Sequence, residues 1–341
     1  MTGGHGDDIY RYDDLVKMNF STTVYQHVDH SALKAHLMDH FDVVTHYPES
    51  QPRQLERIIA RQLGISPESV MVTNGATEAV YIIAQLFRHS CSIIPQPTYS
   101  EYADACRLHK HIITYEADLD AAALPKDRIY WVCNPNNPSG NVLKKGFVDY
   151  VVRRSPRYTF VIDQSYGTFT KEHLLQPRDL QGLTNVILLH SLSRTYSVPG
   201  LRLGFITAHP SVILLLRSLR HPWPVPALSI EAGKFLVQHG QPAVADIDGY
   251  LDEAQRLRTQ LRQIKGLRVF ETKTNYMLCE LNGFTAATLK SKLVHQHGML
   301  IRDCYNFYGL SKAAFRVSAQ LSEENDALVA AIRQLAEEQE P

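Results

Sequence analysis

Short apolar runs that alternate with helical patterns constrain the fold of this chain most strongly. Several of the runs are separated by segments whose apolar residues recur at helical spacing, and they occupy residues 69–73, 92–95, 113–114, 129–133, 160–163 and 186–189. Buried strands that alternate with helices are typical of an open, mostly parallel sheet with helices on both faces. The sequence therefore predicts an α/β fold.

The pattern changes near residue 226, after which the helical stretches become longer. The sequence predicts helices at 230–239, at 243–264, around Leu289 and at 323–338, with strands at 268–270 and 276–279. This mixture is typical of a smaller α+β domain.

The first residues have no comparable periodicity. They are polar and irregular, and Gly3, Gly4 and Gly6 surround His5. We therefore expect an N-terminal arm at 1–47 that joins the small domain, a large domain at 48–235 and a small C-terminal domain at 236–341.

Composition excludes several classes of partner. Thirty-five basic residues balance thirty-five acidic residues, so the formal net charge is zero and neither a nucleic-acid nor a membrane surface is expected. The five cysteines are odd in number and lack C-x-x-C spacing, which speaks against a disulfide framework or a zinc site, and no metal is predicted. The amino terminus has neither a basic region nor an apolar core. We therefore expect a protein of the reducing cytoplasm.

Polar and glycine-rich turns follow the predicted strands. Asn74-Gly-Ala-Thr77 leads directly into a helix, residues 134–140 follow a second strand, and Asp163 ends a third. Each motif alone has a structural explanation as a turn, cap or tight corner. Ligands of open α/β sheets lie at the carboxyl ends of the strands, and free N–H groups at a helix start suit a phosphate. Together the motifs predict a ligand site.

The segment 190–205 carries the most specific signal. Ser191 and Ser193 offer hydroxyl donors, and Arg202 offers a planar fork for phosphate oxygens. Gly200 and Gly204 allow close approach of the backbone. This combination predicts an anion site.

The same segment resembles the cofactor-lysine motif of the pyridoxal-phosphate (PLP) enzymes of the class I/II aminotransferase family, roughly S-x-S-K-x-(F/Y)-x-x-x-G-L-R-x-G. The resemblance covers nearly the full chain and implies a large domain like that of aspartate aminotransferase. One position departs from the motif, because Arg194 stands where the family has the lysine that holds PLP as a Schiff base. A guanidinium stays protonated at any working pH and cannot form that bond.

The resemblance implies a cofactor role for each matching residue. Asp163 would pair with the pyridine nitrogen, Asn137 and Tyr166 would bind the phenolic oxygen, and Tyr99 would stack on the ring. The family's catalytic positions are then those of Arg194, Asp163 and Tyr99. The phosphate would be held by Gly75, Ala76, Thr77, Ser191, Ser193 and Arg202. Tyr47 matches a family tyrosine that reaches the phosphate of the neighbouring subunit, which implies a homodimer with shared active sites.

Other segments resemble one subgroup of the family, the threonine-phosphate decarboxylases. These segments are Gly4-His5-Gly6, Asn19-Phe-Ser21, Pro-Trp-x-Val at 222–225, Ile-Arg-Asp-Cys at 301–304 and Phe315-Arg316. The resemblance implies a substrate bound by His5, Gly6, Thr23, Asn137, Arg302 and Arg316, although Thr23 replaces an expected asparagine. The alternative for the two arginines is a surface ion pair with Glu323 or Asp326.

Three functions remain open from the sequence. The first is PLP-dependent decarboxylation of L-threonine O-3-phosphate to 1-aminopropan-2-ol phosphate, a reaction of cobalamin side-chain synthesis, impaired by Arg194. The second is amino-group transfer on a phosphorylated substrate, because histidinol-phosphate aminotransferases share the fold and much of the pocket. The third is a non-catalytic protein that binds PLP or a phosphoamino acid.

Overall fold

The computed structural model describes residues 6–115 and 128–338. Its strands are β1 Met18–Asn19, β2 Val70–Asn74, β3 Cys91–Ile93, β4 Ile112–Thr114, β5 Arg128–Cys133, β6 Thr159–Asp163, β7 Val186–His190, β8 Leu203–Ala208, β9 Leu267–Val269, β10 Tyr276–Leu281, β11 Met299–Leu300, β12 Arg302–Asp303 and β13 Ala314–Ser318. Its helices are α1 Ser31–Asp39, α2 Arg53–Leu63, α3 Gly75–Leu86, α4 Glu101–Leu108, α5 Lys145–Arg154, α6 Leu192–Thr195, α7 Pro210–Ser218, α8 Ala227–His239, α9 Ile247–Leu261, α10 Ala286–His297 and α11 Ser322–Glu337.

A seven-stranded sheet forms the centre of the fold, in the order β2-β8-β7-β6-β5-β3-β4. Strand β8 is antiparallel to β2 and β7, whereas all other neighbours in the sheet pair in parallel. The predicted mostly parallel sheet is confirmed. Sequence analysis missed β8 because its first residues belong to the motif that was assigned to anion binding.

Both faces of this sheet are buried. Along β2, Met71 belongs to the apolar cluster that includes α3, whereas Val70 and Val72 belong to the cluster that includes α2 and α8. Strand β6 alternates likewise, with Val161 on the first face and Ile162 on the other. Because successive side chains of a strand point to opposite faces, burial on both faces requires helices on both sides.

Helix α2 shows how local sequence sets the bounds of an element. Leu55 and Ile59 are four residues apart, so they lie on one face, and both are buried. The helix ends where Gly64 takes a φ of 67°, a left-handed conformation that glycine adopts without a Cβ clash.

The C-terminal part of the chain forms a separate antiparallel sheet in the order β12-β13-β10-β9. Helices α9 and α10 contact its strands, and α11 packs against α9. The arm contributes β1, which pairs in parallel with β11 through Met18 and Met299. The arm is therefore joined to the C-terminal part of the chain at β1.

The expectation of an irregular arm is wrong for residues 31–39, which form α1. This helix contacts α8, and its Leu33 and Leu37 pack in the cluster that α2 and α8 share. Short helices take most of their stability from such packing, which a weak local pattern does not reveal. Elsewhere in the arm, Asp8 accepts from Lys290 of α10 at 2.7 Å through both carboxylate oxygens, and both side chains are buried.

All five cysteines are free, as their number and spacing predicted. Among the helices of the described residues, none is both long enough and apolar enough to span a membrane.

A buried carboxylate ties α2 to the central sheet. Glu56 is fully buried, accepts from the backbone N–H of Val72 at 3.1 Å and pairs with Arg217 at 2.8 Å. Arg53 lies 3.3 Å from Glu56 and also 3.3 Å from Glu68, which is 60% exposed. The two glutamates thus share a partner and differ in burial.

We predict that Glu56→Ala lowers the free energy of unfolding by about 3 to 5 kcal/mol, because Arg217 would remain buried without its counterion. The matched change Glu68→Ala should cost less than about 1 kcal/mol, because exposed pairs contribute little. Urea unfolding followed by circular dichroism measures both. Equal losses of unfolding free energy in the two variants would show that burial does not strengthen the ion pair of Glu56.

Candidate functional site

A cavity of about 380 Å³ lies at the carboxyl ends of the central strands. It gathers nearly all the residues that the sequence predicted for a ligand: Gly6, Thr23, Gly75, Ala76, Thr77, Tyr99, Asn137, Asp163, Tyr166, Ser191, Ser193, Arg194, Arg202, Arg302 and Arg316. Residues from both ends of the chain thus meet residues from its middle.

Two predicted residues are not among them. Tyr47 is 84% exposed, and its ring centroid lies 4.9 Å from that of Trp223. Its contact with a neighbouring subunit stays a prediction. His5 lies outside the described residues.

One wall of the cavity is the start of α3, where β2 turns directly into a helix. Gly75 has a φ of 75°, and a Cβ added to it would lie 2.6 Å from the guanidinium Nη2 of Arg202. A Cβ on Gly204 would lie 2.7 Å from the backbone N of Ala76. Both glycines are therefore required for the close packing of this wall, which directs a helix amino terminus and a guanidinium at the cavity.

Gly200 is exposed, and a Cβ added to it would have no neighbour within 4 Å. Of the two motif glycines, Gly204 is therefore the one that meets another backbone within the described residues. The predicted close approach of a ligand to Gly200 stays a prediction.

The two serines of the motif shape the turn that follows β7. Ser191 Oγ accepts from the backbone N of Arg194 at 3.3 Å and caps α6. Ser193 Oγ accepts from the backbone N of Leu203 at 2.8 Å and donates to its carbonyl at 3.1 Å. Both serines line the cavity, and both hydroxyls already form hydrogen bonds with backbone groups of the chain. Their predicted phosphate contacts stay predictions.

Asp163 ends β6 at the floor of the cavity and is buried. Its Oδ2 accepts from the hydroxyl of Tyr102 at 2.7 Å and its Oδ1 accepts from the backbone N of Ser165 at 2.8 Å. Burial, together with the nearby Asp163 charge, raises the pKa of Tyr102 well above its usual value, so this phenol remains a donor. The carboxylate keeps acceptor capacity for a further N–H group.

Sequence analysis missed Tyr102. The available signal was its spacing from Tyr99, because the turn that leads into α4 brings residues three apart together. The backbone N of Tyr102 donates to the carbonyl of Tyr99 at 3.4 Å, and α4 begins at Glu101. The two rings pack edge to face with centroids 5.5 Å apart. Burial raises the pKa of Tyr99 to about 12, so its phenol is also neutral.

Arg194 occupies the centre of the cavity. Its Nη2 donates to the hydroxyl of Tyr166 at 3.2 Å, and its guanidinium carbon lies 4.5 Å from the centre of that ring. Burial acts to lower the pKa of Arg194, but Tyr166, Tyr99 and Asp163 act in the opposite direction and the net pKa is raised. Its Nε is buried and has no hydrogen-bond partner among the described residues. The cavity therefore holds a permanent cation at this position.

The described residues that line the cavity include no lysine. Among the described residues, no amine is therefore available there for a covalent bond to an aldehyde.

Arg302 and Arg316 lie directly opposite each other. They are paired Cα partners on the antiparallel strands β12 and β13, and both are buried. Arg316 donates to Asn137 Oδ1 and, at 2.7 Å, to the carbonyl of Ser21. Within the described part of the chain it forms no ion pair, and its buried Nε has no partner.

Arg302 donates to Asn306 Oδ1 at 2.8 Å. Burial lowers the pKa of Arg302, and the neighbouring Arg316 adds to that effect. The alternative of a surface ion pair is wrong, because both guanidinium groups are buried and Asp326 pairs instead with Arg256 at 2.7 Å. Two buried guanidinium groups at one wall of a cavity suit a ligand that carries anionic groups.

The family model for class I and II aminotransferases matches residues 16–332. The chain is 27% identical to the threonine-phosphate decarboxylase of Salmonella typhimurium over 319 residues, which cover 89% of this chain and 86% of that protein. It is 25% identical to a histidinol-phosphate aminotransferase of Caldanaerobacter subterraneus over 302 residues, which cover 85% and 84%. The crystal structure of L-threonine-O-3-phosphate decarboxylase from Porphyromonas gingivalis is 35% identical, with a TM-score of 0.91, and the match covers 94% of this chain and 99% of that one.

The wall at Gly75 generates a prediction about phosphate binding. Gly75→Ala would place a Cβ against Arg202 in a conformation that favours glycine, so the affinity for PLP should fall at least tenfold. Gly200→Ala, on the exposed turn, should leave that affinity unchanged. Fluorescence titration with PLP measures both, with circular dichroism as a check of folding. If both variants bound PLP as the wild type does, the phosphate site would not lie at Gly75.

Proposed function

The chain belongs to the class I and II aminotransferase family, and from this premise we propose that its cavity binds PLP together with L-threonine O-3-phosphate. The reaction is that of a threonine-phosphate decarboxylase, which would give 1-aminopropan-2-ol phosphate for cobalamin side-chain synthesis, with turnover limited by Arg194. The opposed pair Arg302 and Arg316 at one wall of the cavity carries this proposal.

The residues present fit PLP except for covalent attachment. The start of α3 and Arg202 would hold the phosphate, Asp163 would accept from the pyridine N–H, and Tyr99 would lie against the ring. When bound, PLP supplies an electron sink for the pair released from a bond at the substrate Cα. Because no lysine lines the cavity in the described residues, the cofactor would be held without a covalent bond.

A phosphorylated amino acid carries two anionic groups, a carboxylate and a phosphate. Bidentate guanidinium groups recognise both, and burial strengthens such contacts. Arg316 reaches Asn137, which is predicted to contact the cofactor, so the substrate side of the cavity is joined to the cofactor side by one hydrogen bond. The arm closes the same side through Gly6 and Thr23.

Arg194 can take part in binding but cannot do the chemistry that a lysine at this position would do. A lysine at this place could attach the cofactor and carry a proton, whereas a guanidinium keeps its proton and can only bind and orient. In this chain it holds the Tyr166 hydroxyl, which is predicted to face the phenolic oxygen of the cofactor. We therefore assign Arg194 a binding role.

Two other functions have support from specific observations. Arg194 itself favours a non-catalytic protein that binds PLP or a phosphoamino acid. The similarity to histidinol-phosphate aminotransferases favours amino-group transfer on a phosphorylated substrate. The paired arginines fit all three functions. The reaction catalysed by the variant Arg194→Lys therefore has to distinguish the three functions.

We also propose that the chain forms a homodimer. Exposed apolar side chains lie in the segment 38–47 and beside it: Met38, Phe41, Val44, Tyr47 and Trp223. A second copy that covers this surface would remove these side chains from water and could receive Tyr47 at its phosphate site. We place the dimer in the reducing cytoplasm, a proposal supported by the free cysteines.

Arg194→Lys should create a covalent link to PLP that borohydride fixes, and the variant should release carbon dioxide from L-threonine O-3-phosphate. The wild type and Arg194→Gln should bind PLP and lose it on dialysis after borohydride, because the described lining of the cavity offers no amine in either protein. Mass spectrometry detects the reduced adduct, and carbon dioxide release is measured directly.

The outcomes separate the three functions. Transfer of the amino group to 2-oxoglutarate by Arg194→Lys would favour the aminotransferase. A linked cofactor without any reaction would favour the binding protein. A reduced adduct on a cavity residue of the wild type would contradict non-covalent binding.

A further inference from the structure

Three side chains with metal-ligating atoms meet between α1 and α8. His36, His40 and Glu231 each offer one such atom, and these atoms all lie within 4.8 Å of one another. Two imidazoles and a carboxylate form a donor set that binds Zn²⁺ in proteins. We propose that this cluster binds one Zn²⁺ ion per chain and thereby links the arm helix α1 to α8.

Helix geometry brings the two histidines together. His36 lies in the last turn of α1, and His40 follows the helix as its C-cap four residues later. Their rings are stacked with centroids 4.1 Å apart. Helix α8 adds Glu231, whose Oε1 lies 3.0 Å from His36 Nε2. The ring of Phe235 stacks on His36 at 4.5 Å and fixes its orientation.

The hydrogen bond of His40 prepares its ligand atom, whereas His36 Nε2 donates to Glu231 in the metal-free chain and gives up that hydrogen when a metal binds. His40 Nδ1 lies 2.9 Å from the backbone carbonyl of His36, and a carbonyl only accepts, so Nδ1 carries the hydrogen. The neutral ring of His40 therefore presents its lone pair at Nε2. Metal-binding histidines in proteins are usually held by such an outer hydrogen bond.

Glu231 divides its two oxygens between the cluster and its own helix. Lys234 lies 2.9 Å from Oε2, which leaves Oε1 facing His36. The ammonium group of Lys234 also repels a cation, so we expect weaker binding than at a site of three histidines. A tetrahedral ion with bonds of about 2.0 Å needs ligand atoms about 3.3 Å apart. Rotation of the exposed His40 ring would bring its Nε2 to this distance from the other two ligand atoms. A water molecule would take the fourth position.

The test uses the full chain, freed of metal with a chelator and without PLP. Zn²⁺ is titrated by calorimetry into the wild type, His40→Ala and Glu231→Gln. The wild type should bind one ion per chain, and both variants should bind at least tenfold more weakly. His40 is exposed, so its removal leaves the fold intact, which circular dichroism checks.

His295→Ala is the matched control. His295 is also exposed on a helix, and its Nδ1 lies 2.7 Å from the carbonyl four residues earlier, that of Ser291. This variant should bind Zn²⁺ as the wild type does. Zn²⁺ should also raise the melting temperature of the wild type and of His295→Ala but not that of His40→Ala. Unchanged affinity in His40→Ala, or an absence of Zn²⁺ binding by the wild type, would overturn the proposal.

Discussion

Buried positive charge is the constraint on which the organisation of this cavity depends. Its described lining includes the arginines Arg194, Arg202, Arg302 and Arg316. The described carboxylates of the lining are Asp7, Glu101 and Asp163, so the four arginines outnumber them by one. Removing an ion from water costs several kcal/mol unless a partner of opposite charge offsets it. A cofactor phosphate and a doubly anionic substrate would add negative charge beside these arginines.

The fold brings these arginines together from distant parts of the chain. Arg302 and Arg316 meet because β12 and β13 pair in a register that sets them opposite. Arg202 meets Gly75 because β8 lies beside β2 in the central sheet. The arm reaches the same cavity and is held against α10 by the buried pair of Asp8 and Lys290. Each contact joins segments that no local sequence pattern connects.

Local sequence was enough to predict six strands of the central sheet, strands β9 and β10, helices α3 and α8 to α11, and the carboxyl-end location of the site, because each depends on periodicity or on a turn after a strand. It did not predict β8 or the short strands β1, β11, β12 and β13. It failed where a long-range contact decides the structure. Helix α1 depends on packing against α8, and Tyr102 acts on Asp163 from 61 positions away. His36 and Glu231 are 195 positions apart, so cysteine spacing gave no indication of their cluster.

The central claim is that the cavity recognises two anionic groups of one substrate. Calorimetric titration of the PLP-loaded wild type with L-threonine O-3-phosphate and with L-threonine tests it most directly, because the two ligands differ only in the phosphate. A buried charge-assisted clamp contributes about 2 to 5 kcal/mol when its partner would otherwise be unpaired. We expect L-threonine to bind at least tenfold more weakly than L-threonine O-3-phosphate. Equal affinity for the two ligands would contradict it.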